Sequence, residues 1–231
     1  LPIFMDSGRT WYIDLKEDDL SNGPHIGLAG ATGSGKSEFL RVLVLALCAT
    51  HSPDDLVLTP ADFKGNKTFA GLERLPHVLF VLNNLEGSRD RIARLRQAFQ
   101  GELEHRQRLL DSVGEQAKDI TEYRALRRKR PDLNLEPMPH WFIPFDELMQ
   151  AKRESPELIT IMEICGTVGR SLGAHMMPVS QNFNAGLMSG IDTHLRARIA
   201  LRMNDPSDYR EILGGTSPGG LPPGRKGVGY L

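Results

Sequence analysis

The sequence lacks most of the features that mark secreted, membrane-spanning or strongly nucleic-acid-binding proteins. Its 231 residues contain only 2 cysteines, Cys48 and Cys165, which lie far apart in apolar surroundings and are typical of reduced thiols. The longest strictly apolar run, residues 42–49, is far shorter than the roughly 20 residues that cross a bilayer. No signal peptide is expected, because residues 1–6 have no charged region followed by an apolar core. With a net charge of -1, the chain also has no overall basic field to attract nucleic acid.

Short apolar runs alternate with longer stretches of helical periodicity. The predicted strands cover residues 11–15, 26–29, 56–62, 78–82, 141–146, 175–180 and 198–202. One predicted helix runs from Lys36 through Leu47, and a second has apolar residues at steps of three and four between Ile92 and Leu110. Strands that alternate with helices favour an α/β fold, in which a mainly parallel sheet carries helices on both faces. A hydrophobic content of 40% is enough for one large domain with a core of its own.

Charge is unevenly distributed in spite of the near-zero total. Residues 89–130 contain 12 basic and 7 acidic residues, and Arg124 with residues 127–130 forms a basic cluster just before Pro131. One interpretation is a solvated helix end followed by a loop, which is the usual behaviour of a charge run. The other is a contact surface for an acidic partner or a neighbouring subunit.

A glycine-rich segment, residues 30–37, follows the second predicted strand and is called the phosphate loop below. It matches G-x-x-x-x-G-K-[ST] completely, and a helix is predicted directly after it. In this pattern the glycines let backbone N–H groups converge on phosphate oxygens, and the positive end of the helix adds to the attraction. Lys36 is expected to reach the β- and γ-phosphates, and the Ser37 hydroxyl to bind Mg²⁺. The sequence therefore predicts a site for ATP and Mg²⁺, built from Gly30, Ala31, Thr32, Gly33, Ser34, Gly35, Lys36 and Ser37.

The predicted strand over residues 141–146 ends at an acidic pair, Asp146 and Glu147. A phosphate site of this kind needs an acid at the end of a neighbouring strand to hold magnesium and orient water. We expect Asp146 to hold the Mg²⁺ shell, through water or through Ser37, and Glu147 to polarise the attacking water as a general base. The next apolar run ends just before Gln181, which is a candidate for sensing the γ-phosphate or positioning the water. The alternative for Gln181 is a plain transition from strand to loop.

With these sites in place, the sequence resembles the FtsK/SpoIIIE-type motor ATPases, and within them the type VII secretion ATPases of the EccC/EssC family. The resemblance extends in order along nearly the whole chain and is strongest to the first of several ATPase domains strung along one such protein. Besides the phosphate loop, the segments that carry it are Gly23-Pro24-His25, Asp62-Phe63-Lys64-Gly65, Leu75-Pro76-His77, Gly101-Glu102 with Arg106-Gln107, Gly169-Arg170-Ser171-Leu172-Gly173 before Ser180-Gln181, Asp192-Thr193-His194-Leu195, Arg198-Ile199-Ala200-Leu201-Arg202 and Arg210-Glu211-Ile212-Leu213-Gly214.

The resemblance implies a RecA-like P-loop ATPase that hydrolyses ATP with Mg²⁺ and drives the export of protein substrates. Its expected partners are other copies or ATPase domains of the same protein, subunits of a membrane secretion complex, and the secreted proteins, with no direct nucleic-acid partner. Its expected place is the cytoplasmic face of the cell membrane, as part of a larger membrane-anchored protein. Arg94, on the long predicted helix, matches the family position of an arginine finger that enters the neighbouring subunit's site. Turnover by the domain alone is therefore expected to be low.

The expected layout is a single ATPase domain over residues 1–231. An N-terminal β appendage covers residues 1–22, the nucleotide-binding core residues 23–213, and a Gly/Pro-rich tail that loops over the surface residues 214–231. Pro60, Pro144 and Pro178 depart from the family pattern, which usually has aliphatic residues at these positions in the predicted strands. Each proline removes a hydrogen-bond donor, and central strands rarely accept proline. We therefore expect an irregular sheet near the site.

Two other functions remain open on the sequence. One is a weakly active or inactive nucleotide-binding module that regulates the same complex. The strand prolines favour this module, and the complete pair Asp146-Glu147 argues against it. The other is a double-stranded DNA translocase, the second large branch of this motor class. Such a pump would be expected to line a channel with basic residues and to lose affinity for DNA steeply with salt.

Overall fold

Strands and helices alternate along the chain in the computed structural model, which describes residues 2–6, 9–15, 23–63, 65, 68–82, 89–154, 156–181, 183, 190–214, 221 and 227–231. The helices are α1 Lys36–Thr50, α2 Arg89–Val113, α3 Ile120–Lys129, α4 Leu148–Glu154, α5 Pro156–Leu172 and α6 Asp208–Leu213. The strands are β1 Pro2–Asp6, β2 Arg9–Tyr12, β3 His25–Ala29, β4 Leu56–Leu58, β5 Ala61–Asp62, β6 His140–Asp146, β7 Ala174–Ser180, β8 Leu195–Leu201 and β9 Gly229–Tyr230. None of the helices in this described part combines the length and apolar character needed to cross a bilayer.

The main sheet has the strand order β4-β6-β7-β3-β8-β9, and β5 pairs with β6 beyond the end of β4. Its ladders are parallel except for β9, which runs antiparallel to β8. The strand before the phosphate loop, β3, therefore lies between β7 and β8 inside the sheet. Because parallel strands end at the same edge, the loops after β3, β5, β6 and β7 all meet at one edge. The predicted mainly parallel sheet is confirmed.

Buried side chains of β6 alternate between two hydrophobic clusters on opposite faces of the sheet. Ile143 and Phe145 belong to the same cluster as Leu158 of α5, whereas Phe142 belongs to the cluster that contains Leu40 of α1. Such alternation follows from the two-residue period of a strand. The predicted helices on both faces are thereby confirmed.

Pro60 divides one predicted strand into two. The sequence predicts a continuous strand over residues 56–62, but β4 ends at Leu58 and β5 begins at Ala61, so this prediction is wrong at its centre. Because Pro60 has no N–H group, it cannot donate a ladder bond. Its carbonyl instead accepts the N–H of Leu82, over 2.8 Å.

Pro144 remains inside β6 because its nitrogen faces this gap. The carbonyl of Phe142 accepts the N–H of Thr59 over 3.0 Å, so Phe142 faces the edge formed by β4 and β5. Residues two apart in a strand face the same neighbour, which places the nitrogen of Pro144 opposite the interruption at Pro60. The missing donor therefore falls where the neighbouring strand is already broken.

Pro178 occupies an equivalent position on the other side of the β6–β7 pair. The carbonyl of Ser180 accepts the N–H of Gly30 over 3.2 Å, so both Ser180 and Pro178 face β3. On that side the ladder between β3 and β7 begins only at Val179. Both prolines thus lie beside interrupted ladders, and the expected irregularity near the site is found at these positions.

Two further predicted strands differ from the structure. In place of a strand over residues 11–15, β2 ends at Tyr12 and pairs with β1, an antiparallel partner that the sequence patterns do not predict. Residues 78–82 form two isolated bridges, Leu58 with Val78 and Ala61 with Leu82, instead of a strand. Residues 16–22, Lys64 and the tail segments 215–220 and 222–226 lie outside the described residues.

The basic cluster around the end of α3 makes contacts within the chain. Arg124 forms an ion pair with Asp55, and Arg130 forms one with Asp132. These contacts, with residues 128–130 exposed at the end of α3, favour the interpretation of the cluster as a solvated helix end followed by a loop.

Three histidines meet at the edge where the strands begin, opposite to the phosphate loop. Nδ1 of His175 donates to the carbonyl of Pro24 over 3.0 Å, which leaves its Nε2 to accept from Nδ1 of His140 over 2.8 Å. Nδ1 of His25 accepts the N–H of Met176 over 3.1 Å. Burial, and after it the charge of neighbouring histidines, lowers the pKa of His25 and of His175 to about 3. Both rings are therefore neutral in the folded chain at neutral pH.

Candidate active site

The phosphate loop lies at the carboxyl end of β3 and leads directly into α1. Gly33 and Gly35 have φ angles of 75° and 106°, in the left-handed region that favours glycine. A Cβ atom at Gly30 would lie 2.5 Å from Oγ of Ser34 and 2.9 Å from Cβ of Leu201, so this position has no room for a side chain. The predicted order of strand, loop and helix is present, while contact with ATP stays a prediction.

Neighbouring strand ends hold the start of the loop. The N–H of Gly30 donates to Ser180 at the end of β7, and the N–H of Ala31 donates to the carbonyl of Arg202 beyond β8 over 2.8 Å. Ser34 is completely buried, and its Oγ has no hydrogen-bond partner among the described residues. A buried hydroxyl without a partner fits a loop whose polar groups are completed by a ligand.

The end of the chain also contacts the phosphate loop. β9 pairs with β8, and the N–H of Gly227 donates to the carbonyl of Ser34 over 3.2 Å. A Cβ atom at Gly35 would lie 3.2 Å from the nitrogen of Gly227. The Gly/Pro-rich composition of the tail predicts a loop over the surface, whereas these last residues pack against the site.

Lys36 begins α1 and is only 7% exposed. Its Nζ donates to the carbonyl of Gly30 and, over 3.2 Å, to the carbonyl of Ala31. The ammonium group therefore lies against the loop on which the phosphates are predicted to bind. Ser37, the next residue, is exposed at the N-terminus of the helix.

Replacing Lys36 by alanine should abolish the stabilisation of the chain by ATP with Mg²⁺. At a ligand concentration of about 100 times Kd, binding stabilises a protein by about 2.7 kcal/mol, or roughly 5 to 11 °C in Tm for a chain of this size. Thermal unfolding with and without nucleotide measures the shift. Lys129→Ala, at an exposed lysine on α3, is the matched control. A full shift in Lys36→Ala would remove the phosphate loop from the site.

Two aspartates end adjacent strands beside the loop. Asp62 of β5 and Asp146 of β6 are register partners, and both are buried. Burial raises the pKa of Asp146, and the charges of Glu147 and Asp62 raise it further, whereas a hydrogen bond from Thr68 and the charge of Lys36 oppose the rise. Lys36 and Asp146 are therefore close enough to interact electrostatically, as expected of a phosphate and magnesium site.

Thr68 connects the two aspartates, although no sequence motif assigns it a role. Its Oγ1 donates to Oδ2 of Asp146 over 2.6 Å, and its N–H donates to Oδ2 of Asp62 over 3.0 Å. Oδ1 of Asp146 is buried and has no hydrogen-bond partner in the described part of the chain. Magnesium prefers such carboxylate oxygens, so Asp146 fits the predicted ion. Asp62 could have been found as the acid that closes an apolar run, but Thr68 carries no local signal.

Glu147 has an unusual backbone conformation directly after β6. Its φ angle is 60°, in the left-handed region that costs a residue with a side chain roughly 1–2 kcal/mol. Its carbonyl accepts the N–H of Gln150 over 2.9 Å, so this conformation turns the chain from β6 into α4. Strain of this kind is concentrated at functional positions. Action as the general base stays a prediction for this half-buried side chain.

Gln181 follows β7 at the same edge of the sheet. Ser180 is the register partner of Ala29, so Gln181 leaves the sheet at the level where the phosphate loop begins. Ser180 is completely buried, and its Oγ has no hydrogen-bond partner among the described residues. The structure brings Gln181 to the edge that carries Asp146, and its sensor role stays a prediction.

Arg94 is exposed near the start of α2. The adjacent Leu95 lines a cavity of about 170 Å³ together with Phe145, so this part of the helix lies near the carboxyl end of β6. Its position is compatible with a side chain that reaches into another copy.

Other arginines have different surroundings. Arg106 is buried, where it donates to the carboxylate of Glu102 over 2.8 Å and to the carbonyl of Leu172 over 2.9 Å. Arg170 lines a cavity with Pro24 at the opposite edge of the sheet. Arg106 thus stabilises the packing of α2, and Arg170 is directed away from the phosphate loop.

Comparison with known proteins identifies relatives of the whole chain. The profile of the FtsK/SpoIIIE family matches residues 1–215. The ESX secretion system protein EccC of Thermomonospora curvata is 41% identical over 233 residues, which cover 100% of this chain and 17% of that protein. The ESX-1 secretion system protein EccCa1 of Mycobacterium tuberculosis is 34% identical over 236 residues, which cover 98% of this chain and 31% of that protein. The chain therefore spans less than a third of either relative.

Two solved structures of the Thermomonospora curvata protein EccC also resemble this chain. The cytoplasmic domain of the Thermomonospora curvata type VII secretion ATPase EccC has a TM-score of 0.90 at 40% identity, and the match covers 100% of this chain and 26% of that one. ATPases 2 and 3 of the same protein, in complex with a signal sequence peptide, have a TM-score of 0.76 at 24% identity over 96% of this chain and 38% of that one. The second likeness concerns the fold alone. The predicted P-loop ATPase fold is confirmed by the first.

Proposed function

The chain belongs to the FtsK/SpoIIIE family, and we propose that it is an ATP-binding and ATP-hydrolysing motor domain of a type VII protein secretion complex that drives the export of protein substrates. The observation that carries the proposal is the convergence of Lys36, Asp146 and Glu147 at one edge of the sheet. The 41% identity to an ESX secretion system protein supports the assignment to secretion.

Some residues of the site bind the phosphates and the metal, and others act in proton transfer. Backbone N–H groups of the phosphate loop and the ammonium of Lys36 bind the phosphates. Ser37 and Asp146 would hold Mg²⁺, which would neutralise charge on the phosphate oxygens. Glu147 takes a proton from the attacking water, and Gln181 helps to orient that water.

The proposed partners follow from the relatives of the chain. They are other copies or ATPase domains of the same protein, subunits of a membrane secretion complex, and the secreted proteins themselves. Two relatives of the chain are named as secretion system proteins, which supports the secretion complex among these partners. The proposed location is the cytoplasmic face of the cell membrane, within a larger membrane-anchored protein. The likeness to a cytoplasmic domain of the T. curvata secretion ATPase supports this location.

Replacing Glu147 by glutamine tests the proposed chemistry. Glutamine keeps the shape of the side chain but cannot accept the proton, so ATP turnover should fall by about 10² to 10⁴-fold while ATP binding is retained. Phosphate release and nucleotide-dependent Tm measure the two properties on the same preparation. Glu115→Gln, at an exposed position after α2, is the matched control. Equal turnover in Glu147→Gln and the unmodified chain would contradict the proposed base.

A further inference from the structure

A hydrogen-bonded bridge joins the two aspartates at the carboxyl ends of β5 and β6. The hydroxyl of Thr68 and the backbone N–H of the same residue each hold one carboxylate, Asp146 over 2.6 Å and Asp62 over 3.0 Å. Thr68, Asp146 and Asp62 are only 7%, 3% and 1% exposed. At 2.6 Å the bond from hydroxyl to carboxylate has the short length of a charge-assisted hydrogen bond. Burial of the whole bridge keeps water from competing with these two bonds.

The bridge leaves one oxygen of Asp146 available for a ligand. The hydroxyl of Thr68 has a single hydrogen, which it gives to Oδ2. Oδ1 is buried without a hydrogen-bond partner among the described residues. An unsatisfied buried acceptor is destabilising, and more so when it is charged, so the fold keeps this oxygen available to the site at a cost. A cation, or water bound to a cation, removes that cost.

The bond from Thr68 also decides which way the carboxylate points. Rotation of an aspartate carboxylate about its last bond is broad and only loosely restricted by the side chain itself. A donor on Oδ2 therefore determines the direction of Oδ1. Because the N–H of Thr68 is held by Asp62, the donor itself is fixed to the end of the adjacent strand.

We infer that Thr68 is a positioning residue for magnesium, which holds the carboxylate of Asp146 so that Oδ1 is presented to the ion. In this arrangement Asp62 anchors the backbone of Thr68 and is not itself a ligand of Mg²⁺. The inference rests on the proposed function, because it takes Asp146 as the residue that holds Mg²⁺. It gives a role to Thr68 and Asp62, a buried pair that lies outside the phosphate loop and outside the acidic pair at the end of β6.

The test compares Thr68→Val with Thr68→Ser. Valine has nearly the shape of threonine but no hydroxyl, whereas serine keeps the hydroxyl. Calorimetry of ATP binding across a Mg²⁺ titration gives the Mg²⁺ concentration at half-maximal effect. Loss of a residue that orients a ligand typically weakens metal affinity about 10–100-fold, so we expect a rise of that size for Thr68→Val and a value close to the unmodified chain for Thr68→Ser. ATP affinity in EDTA should be the same in all three proteins.

Variants of Asp62 test the other end of the bridge. Asp62→Asn keeps an oxygen for the N–H of Thr68 and should leave the Mg²⁺ requirement unchanged, whereas Asp62→Ala removes that acceptor and should raise it. If Thr68→Val fails to fold, Asp62→Ala carries the test. A raised requirement in Asp62→Asn would make Asp62 a ligand and overturn its role as an anchor.

Two results would overturn the positioning role of Thr68. One is an unchanged Mg²⁺ requirement in Thr68→Val beside a raised requirement in Asp146→Asn. The other is an equal loss of ATP affinity with and without Mg²⁺, which would mean general damage to the site. An unchanged Mg²⁺ requirement in Asp146→Asn would instead overturn the magnesium assignment in the proposed function, and the positioning role with it.

Discussion

Mixing Arg94→Ala with Glu147→Gln subunits is expected to restore ATP hydrolysis that neither variant supports alone. In the proposed function the phosphate loop binds phosphate, Asp146 holds the metal and Glu147 accepts a proton. Lys36 and the proposed Mg²⁺ supply positive charge to this site, and an arginine from a neighbouring copy would neutralise the further charge that develops on the γ-phosphate. Arg94 is exposed on α2, near the carboxyl end of β6, and would reach the nucleotide of an adjacent copy.

The effect should be large, because an arginine finger is worth about 10³–10⁵ in turnover, or about 4–7 kcal/mol. Arg94→Ala should therefore suppress the rise in turnover per subunit that assembly brings, without weakening ATP binding. The defects of the two variants lie in different half-sites. In an equal mixture about a quarter of the interfaces combine an intact finger with an intact base, so a corresponding part of the activity should return.

Arg108→Ala is the control, because this residue is exposed on the same helix more than three turns away. Turnover is measured at several protein concentrations, with assembly followed by light scattering. A mixture that stays inactive, although both variants assemble and bind ATP, would show that Arg94 is not the finger. Arg96, which is also exposed on α2, would then be tested in the same way.

The free energy of unfolding should fall steeply between pH 7 and pH 5. His25 and His175 have a pKa of about 3 in the folded chain and 6.5 as the ordinary value. The unfolded chain therefore binds more protons than the folded chain below pH 6.5, and stability is lost as the pH falls. At pH 5 each histidine lowers the free energy of unfolding by about 2 kcal/mol, and the pair lowers it by about 4 kcal/mol. Urea unfolding at a series of pH values measures this loss.

His25→Asn isolates one of the two contributions. The oxygen of asparagine can accept the N–H of Met176 in place of Nδ1, but it does not titrate in this range. The loss of stability between pH 7 and pH 5 should shrink by about 2 kcal/mol in this variant. His105→Gln, at a half-exposed position on α2, is the control and should leave the loss unchanged. An undiminished loss in His25→Asn would mean that other groups cause the acid sensitivity.

Local pattern is sufficient to predict the centre of the fold. The phosphate loop is recognised from contiguous residues, because its glycines and Lys36 have to be adjacent for the loop to curve around a phosphate. The strand before Asp146 is recognised in the same way, as an apolar run closed by acids. Both predictions depend on interactions within a few residues, which a sequence displays directly.

The bridge formed by Thr68 could not be predicted in this way. Thr68 and Asp146 are 78 positions apart in sequence, and only the pairing of β5 with β6 brings them together. The break between β4 and β5 at Pro60 could not be predicted for a related reason. A proline marks a missing donor, but whether a strand breaks or continues depends on which neighbour its nitrogen faces. The carbonyl of Pro60 accepts the N–H of Leu82, so Pro60 faces residues 78–82, whereas the nitrogen of Pro144 faces the interruption between β4 and β5.

The positions of the prolines give the sheet an uneven mechanical stiffness. β6 and β7 are joined by a continuous ladder, whereas Pro144 faces the gap in the outer edge and Pro178 faces β3 before its ladder begins. Around Pro144 and Pro178 these two strands therefore form a ribbon that is bonded internally and coupled weakly on both sides, whereas their last residues pair with β5 and β3. The ribbon carries Asp146, Glu147 and Gln181 together. The bond from the N–H of Gly30 to Ser180 and the pairing of Ser180 with Ala29 tie the end of this ribbon to β3, so the acidic groups are held in register with the phosphate loop while the middle of the sheet is less stiff.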